Sequence, residues 1–306
     1  MGAIIRSVFI TGGGGFIAPH LLRALDPSLA VTLHIRDAAK YASPAAPVTA
    51  HPGVRIITGA LNEEEIAGKL PDDCDTVIHL AGAVHGQSTE AILDSNITTT
   101  RNVLQIMEHR KIANLVFMST AAVWSDTSGN RLSESMTTNP QTLYGYAKLS
   151  AERLIVDSIS RDKIASAVIL RCNNTYGPGG FQGAVASFMR RLVDGLPVQI
   201  EGDGLQMREP LHVSDVVDVI KRSCAGAPGA HAYCISGPEV VTIVGMAETI
   251  AKVLGRKLEI EWKPQNADRA RHIIMDTEKA GRELGWTPHI RFEEGCRRYA
   301  EALLTR

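Results

Sequence analysis

Three features of this 306-residue sequence predict an α/β fold built on a doubly wound parallel sheet. A short apolar run, Val8-Phe9-Ile10, enters the four consecutive glycines 12–15, and a helical pattern of Ile17, Leu21, Leu22 and Leu25 leaves them, which reads as strand, tight turn, helix. Strand-like runs then alternate with helical segments as far as residue 171, the rhythm of right-handed βαβ units. The run 75–80 ends in Ala81-Gly82-Ala83, small residues at the sheet edge where open parallel sheets take their ligands.

The glycine turn sets the first element. Residues without Cβ let the backbone reverse sharply, so that its N–H groups approach a pyrophosphate at the positive end of the following helix. Gly12 and Gly15 keep the first two positions of a Gly-x-x-Gly-x-x-Gly spacing, with Ala18 at the third, where only close helix–strand packing is needed. The second strand, 30–35, ends at Arg36-Asp37, the place that faces the adenosine ribose in a dinucleotide fold. Arg36 suits the 2′-phosphate of NADP and favours it over NAD, while Asp37 is within reach of a ribose hydroxyl.

A proline-punctuated loop at 41–52 follows, then a strand at 54–58, a short helix at 63–70, the strand 75–80, a helix at 96–108 and a strand at 114–118 carrying Ser119-Thr120. The second half reads as a strand at 166–170, a loop at 171–180, a helix at 183–194, a strand at 197–201 and a loop at 202–208. A helix at 214–224 with Ser214 as N-cap and a strand at 232–235 return to the main sheet, and segments 242–254, 258–262, 277–284 and 292–304 form a smaller lobe. The expected division is a Rossmann-like dinucleotide-binding domain at 1–171 and 211–236, and a smaller C-terminal α/β substrate lobe at 172–210 and 237–306.

A net charge of −1 with interspersed signs gives no electrostatic reason for nucleic acid or an anionic membrane as partner. No apolar run approaches the roughly 18 residues of a spanning helix, and no signal-peptide pattern opens the chain, so a cytoplasmic location is expected. The five cysteines are widely spaced without a Cys-x-x-Cys pair, which suits reduced, buried thiols. No metal site is expected.

Tyr144-Gly-Tyr-Ala-Lys148 puts a phenol and an ammonium on one helical face, one turn apart. The ammonium favours the phenolate and draws the tyrosine pKa down toward the working pH, as a general acid/base for a carbinol or carbonyl requires. Thr120, at a strand end, can bind the same substrate oxygen.

Six ordered motifs carry a resemblance: residues 11–17, 75–82, 117–124, Tyr144-x-x-x-Lys148, 170–178 and 202–209. Together they resemble the extended short-chain dehydrogenase/reductase family, in its NAD(P)-dependent nucleotide-sugar epimerase/dehydratase branch, over nearly the whole chain. The resemblance implies Tyr144 as acid/base, Lys148 as its partner and a nicotinamide-ribose ligand, and Thr120 as the hydroxyl that orients substrate. It implies Gly12, Gly15, Phe16 and Ile17 at the pyrophosphate and Leu80, Ala81, Gly82 and Asn96 along the cofactor. Asn174 and Arg208 match positions that contact the substrate diphosphate, where an arginine fork donates two parallel hydrogen bonds. A homodimer through helices 96–108 and 144–160 is likewise implied.

Departures from the family pattern bear on the reaction. Ala121-Ala122 stand where 4,6-dehydratases carry an Asp-Glu pair, which disfavours loss of water. Ala60 replaces an aspartate that meets the adenine, Trp124 stands in place of a tyrosine, and Asn266 falls where some members have a second diphosphate-binding arginine, with Arg269 and Arg271 close by. The expected activity is hydride transfer at a sugar hydroxyl or ketone of a nucleotide-diphosphate sugar, as 4-epimerase or 4-ketoreductase. The alternatives are a reductase of a small non-nucleotide compound and a non-catalytic NAD(P)-binding regulator.

Overall fold

The computed structural model describes residues 5–37, 51–83, 88–124, 130–264 and 272–304. In chain order the elements are β1 (Ser7–Thr11), α1 (Ile17–Ala24), β2 (Ala30–Ile35), β3 (Val54–Thr58), α2 (Glu63–Ile66), β4 (Thr76–His79), α3 (Thr89–Leu93), α4 (Thr99–Arg110), β5 (Asn114–Thr120), α5 (Leu143–Ser160) and β6 (Ser166–Cys172). There follow β7 (Thr175–Tyr176), α6 (Gly183–Val193), β8 (Val198–Glu201), β9 (Met207–Arg208), β10 (Leu211–His212), α7 (Val213–Ser223) and β11 (Gly229–Ile235). The last are β12 (Val241–Thr242), α8 (Ile243–Leu254), β13 (Ile260–Lys263), β14 (His272–Ile273), α9 (Glu278–Leu284) and α10 (Phe292–Leu304).

Seven strands form one sheet in the order β11-β6-β5-β4-β1-β2-β3. The pairings β1·β2, β1·β4, β2·β3 and β4·β5 are parallel. Bonds from Ser166 N to Ala113 O, Gly229 N to Ala165 O and Asn173 N to Ile235 O set the remaining strands head beside head, so the sheet is parallel throughout. β1 and β4 read as continuous buried runs because helices cover both faces of such a sheet.

The chain divides into two compact units, Met1–Val123 with Thr138–Arg171 and Val217–Tyr233, and Trp124–Thr137 with Cys172–Val216 and Cys234–Arg306. In the first, Phe9, Val77 and Phe117 of the sheet pack with Val103, Ile106 and Met107 of α4 and Ile155 of α5. In the second, Met189, Val198, Ile200, Ile250 and Cys296 centre a separate core. Residues 124–137, expected above with the sheet, group with the second unit. Leu132 pairs with Met275, and Arg131 bonds both Glu209 and the Met275 carbonyl.

Two local expectations are corrected. The helix expected from residue 96 begins at Thr89, where Ser88 caps it by accepting from Ala91 N at 3.2 Å, and Asn96 sits inside a π-helical turn, Asp94–Thr98, that leads into α4. Ser214 does not cap α7 but lies within it; the His212 ring nitrogen accepts the Ser214 N–H at 3.2 Å. The loop expected at 41–52 lies outside the described residues except at its last two positions.

Candidate active site

Gly12 is where the chain leaves β1, at φ +77, and a Cβ there would lie 2.6 Å from Ala81 N and 2.7 Å from Leu80 C. Only glycine both takes that backbone conformation and lets β1 approach the end of β4 so closely. Gly15 N donates to Gly12 O at 2.9 Å and closes the turn. Ala18 is fully buried, as close helix–strand packing requires. Phe16 precedes α1 without a side-chain cap and packs edge-on against His20, Ile17 opens the helix, and no acidic residue occupies its first turn. The N–H groups at such a helix start are of the kind that bind an anion.

Across the turn lies the edge Leu80-Ala81-Gly82. A Cβ on Gly82 would stand 2.7 Å from Asn96 Oδ1 and 3.2 Å from Lys148 Nζ, so glycine keeps open a space that these two groups border. Asn96 donates through Nδ2 to Ala83 O at 2.9 Å and Ile92 O at 2.8 Å, and among the described residues its buried Oδ1 has no hydrogen-bond partner. Lys148 is buried on α5, donates to Met118 O at 2.8 Å and lies 4.7 Å from the Phe117 ring centre. A carbonyl oxygen that needs a donor beside an ammonium that can give one fits a hydroxyl group, and so fits the ribose of a dinucleotide.

Thr120 ends β5, and its Oγ1 accepts the Ala122 N–H at 3.1 Å. Beneath it Ser119 donates to Glu152 Oε1 at 2.5 Å, and the same buried carboxylate is gripped by Arg171 through Nη2 at 2.7 Å and Nε at 3.1 Å. Thr142 caps α5 by accepting from Gly145 N at 3.1 Å. Gly145 itself is packed so closely that a Cβ would lie 2.2 Å from Ala122 O, which presses the start of the Tyr144 helix against the turn that follows Thr120. Tyr144, half-buried, and Lys148 are one turn apart on this helix.

The other expected positions are more dispersed. Arg36 is exposed just past β2, followed by exposed Asp37. Asn174 and Arg208 belong to the second unit: Asn174 is exposed beside β7, and Arg208 is buried on β9 with Nη1 donating to Met207 O at 2.8 Å. Ala60 leaves its turn without an acid of its own, but Glu65 Oε2 accepts the Ala60 N–H at 3.0 Å. Asn266, Arg269 and Arg271 lie outside the described residues.

All five cysteines are buried, and burial pushes the thiols of Cys74 and Cys224 up to about 11 and about 12. Among the described residues no cluster of His, Cys, Asp and Glu suits a metal ion, and no helix is long and apolar enough to cross a membrane.

Sequence reasoning missed Glu152 and Arg171, which hold Ser119 beside Thr120, and Gly145, which packs the start of α5 against Ala122. Gly145 lies within the Tyr144 motif, but only its contact with Ala122 reveals its use.

A family model described as the NAD dependent epimerase/dehydratase family matches residues 8–235. The dTDP-glucose 4,6-dehydratase of Streptomyces antibioticus is 29% identical over 313 residues, covering 95% of this chain and 90% of that protein. Among solved structures, MoeE5 in complex with UDP-glucuronic acid and NAD has a TM-score of 0.87 at 26% identity, with 98% of this chain and 99% of that one covered. DesIV, a dTDP-glucose 4,6-dehydratase from Streptomyces venezuelae solved with NAD, shares the fold at a TM-score of 0.88 and 24% identity, over 98% of this chain and 97% of that one. The glycine turn, the Gly82 edge and the full-length relatives agree: this chain belongs to the NAD dependent epimerase/dehydratase family.

Proposed function

We propose that this chain moves hydride at C4 of a nucleotide-diphosphate sugar and inverts that carbon, acting as a 4-epimerase. The reading rests on Thr120, Tyr144 and Lys148 in a chain whose relatives act on nucleotide sugars, together with Ala121-Ala122 where dehydratases need an acid pair. The nicotinamide supplies a reversible hydride acceptor. Tyr144 takes the proton of the sugar hydroxyl and later returns it, and the Lys148 ammonium favours the phenolate in between. Thr120 already accepts the Ala122 N–H, so its own proton is the one it offers to the substrate oxygen. With no acid at 121 or 122 to protonate a leaving hydroxyl, the sugar keeps its oxygen.

In this reading the backbone of Gly12, Gly15, Phe16 and Ile17 holds the pyrophosphate, and Leu80, Ala81 and Gly82 line the cofactor. A ribose hydroxyl donates to Asn96 Oδ1 and accepts from Lys148 Nζ. Asn174 and Arg208 hold the substrate diphosphate. A second reading, 4-keto reduction with NADPH, is favoured by Arg36, whose exposed guanidinium suits a 2′-phosphate. Assembly as a homodimer through α4 and α5 accords with Leu143, Tyr146 and Val156 of α5, which are 37%, 54% and 44% exposed.

Incubation with UDP-glucose, UDP-glucuronic acid, dTDP-glucose and, separately, a 4-keto nucleotide sugar, with and without added NADPH, followed by NMR of the sugar, tests the proposal. A C4-inverted sugar formed without net cofactor use is expected. Turnover of a 4-keto sugar only with stoichiometric NADPH selects the reductase, and a 4-keto-6-deoxy product overturns both. Cofactor binding without any turnover would leave a regulator.

A further inference from the structure

His79 ends β4 one residue before the cofactor edge, and the reaction proposed above does not use it. It is fully buried, with Nδ1 2.7 Å from Thr11 Oγ1 and Nε2 3.1 Å from Thr100 Oγ1. What each hydroxyl does on its far side fixes the direction of these bonds. Thr100 Oγ1 donates at 2.6 Å to the Asn96 carbonyl, a group that can only accept, so its single proton is committed and it must accept from His79 Nε2–H. Burial, reinforced by the Lys148 charge, lowers the His79 pKa to about 3, so the ring is neutral and Nδ1 carries a lone pair. Thr11 therefore donates to Nδ1, and its oxygen accepts the Ala81 N–H at 3.3 Å.

The outcome is one directed chain, from Ala81 N–H to Thr11, from Thr11 to His79, from His79 to Thr100, and from Thr100 to the Asn96 carbonyl. One end is the backbone beside Gly12 and Gly82; the other is the π-helical turn that carries Asn96. A π turn holds one residue more than an α turn, and such turns are frequent at functional sites because they re-aim a side chain.

The geometry points to His79 as a positioning residue: as the neutral Nε2–H tautomer it ties the glycine-turn strand and the cofactor edge to the π-helical turn, and so aims the unpartnered Asn96 oxygen beside Lys148. The assignment rests on the reading of that space as the cofactor's ribose site. Asn96 and Lys148 touch the ligand; His79 acts through them. Glutamine in place of His79 retains a donor at the distance of Nε2, whereas asparagine retains an acceptor near Nδ1 and falls short of Thr100.

Two measurements on the full chain test this. In the ligand-free protein, nitrogen NMR of the histidine rings is expected to show His79 with the proton on Nε2 and a bare Nδ1, unchanged from pH 5 to 8. A proton on Nδ1, or a titration midpoint inside that range, would overturn the assignment. In NADH and NADPH binding by fluorescence, Thr100→Val, Asn96→Ala and His79→Asn are each expected to weaken affinity for the preferred cofactor about tenfold, with His79→Gln closer to wild type. The Thr100→Val, Asn96→Ala double variant should lose no more than Asn96→Ala alone, because both act on one oxygen. Losses that multiply would place Thr100 and His79 outside the Asn96 arm and overturn the proposal. If the tautomer and the non-additivity hold but no nucleotide sugar turns over, the positioning network stands and the proposed reaction falls. Should the His79 variants fail to fold, the wild-type ring spectrum and the nearly isosteric Thr100→Val still decide it.

Discussion

At the scale of single residues, the site is kept open by glycines and held still by buried polar groups. Gly82→Ala would put a methyl between Asn96 Oδ1 and Lys148 Nζ. It is expected to weaken NAD(H) binding about tenfold or more while leaving the circular-dichroism spectrum and melting temperature near wild type. Gly145→Ala would place Cβ against a backbone oxygen, which cannot yield as a flexible side chain does. Its expected effect is a shifted α5 and a melting temperature several degrees lower. Glu152→Ala would take the carboxylate away from the buried Arg171 guanidinium and the Ser119 hydroxyl, and chemical denaturation should register a loss of about 3–5 kcal/mol. The roles proposed for Thr120, Tyr144 and Lys148 were drawn from the sequence because that chemistry is carried by short, local motifs. Glu152 and Arg171 were not, since an isolated Glu and Arg read as solvated charges until the fold brings residues 19 apart into one buried pair. His79 reads as one more strand residue until its partners, 68 and 21 positions away, are known.

At the scale of elements, the strands were the more legible part. β2 begins and ends where its apolar run does, because a strand buried on both faces leaves a continuous signal, while β3, mostly exposed at the edge of the sheet, is marked by its β-branched Val54, Ile56, Ile57 and Thr58. The helix before β5 was harder: the π-helical turn at Asp94–Thr98 breaks the 3.6-residue period, so its N-terminal arm was invisible to a periodicity argument. The cap of α7 was missed for a different reason, in that an imidazole, His212, does what a serine hydroxyl was expected to do.

The network that joins β1, β4 and the π-helical turn also predicts an acid sensitivity. His79 has a folded pKa of about 3 against 6.5 for an ordinary histidine, so the unfolded chain takes up its proton first as the pH falls. Its contribution is full above about pH 6.5 and is lost as the pH drops toward 3, by about 2 kcal/mol at pH 5. His34, also pushed down by burial, acts in the same direction. Melting temperatures at pH 7 and pH 5 should therefore fall less in His79→Gln than in wild type; equal falls would contradict this origin of the acid sensitivity.

At the scale of the whole molecule, the sequence pattern carried the doubly wound sheet and the existence of a second lobe, while the boundary near residues 124–137 depended on partners such as Glu209 and Met275 that lie far along the chain. Burial of every cysteine predicts that a colorimetric thiol reagent titrates none of the five in the native protein within minutes and all of them in denaturant. The homodimer proposed through α4 and α5 predicts twice the chain mass in sedimentation equilibrium, shifting to monomer in Tyr146→Asp; a wild-type monomer would remove it.

The central claim is that Tyr144, poised by Lys148, moves the proton while hydride moves at the sugar. Tyr144→Phe tests it most directly, with cofactor affinity and turnover of the accepted nucleotide sugar measured on the same preparation. The expected result is cofactor binding close to wild type and a loss of about 100-fold or more in kcat, together with disappearance of the basic-group limb from the pH–rate profile. An unchanged kcat in Tyr144→Phe would contradict the account.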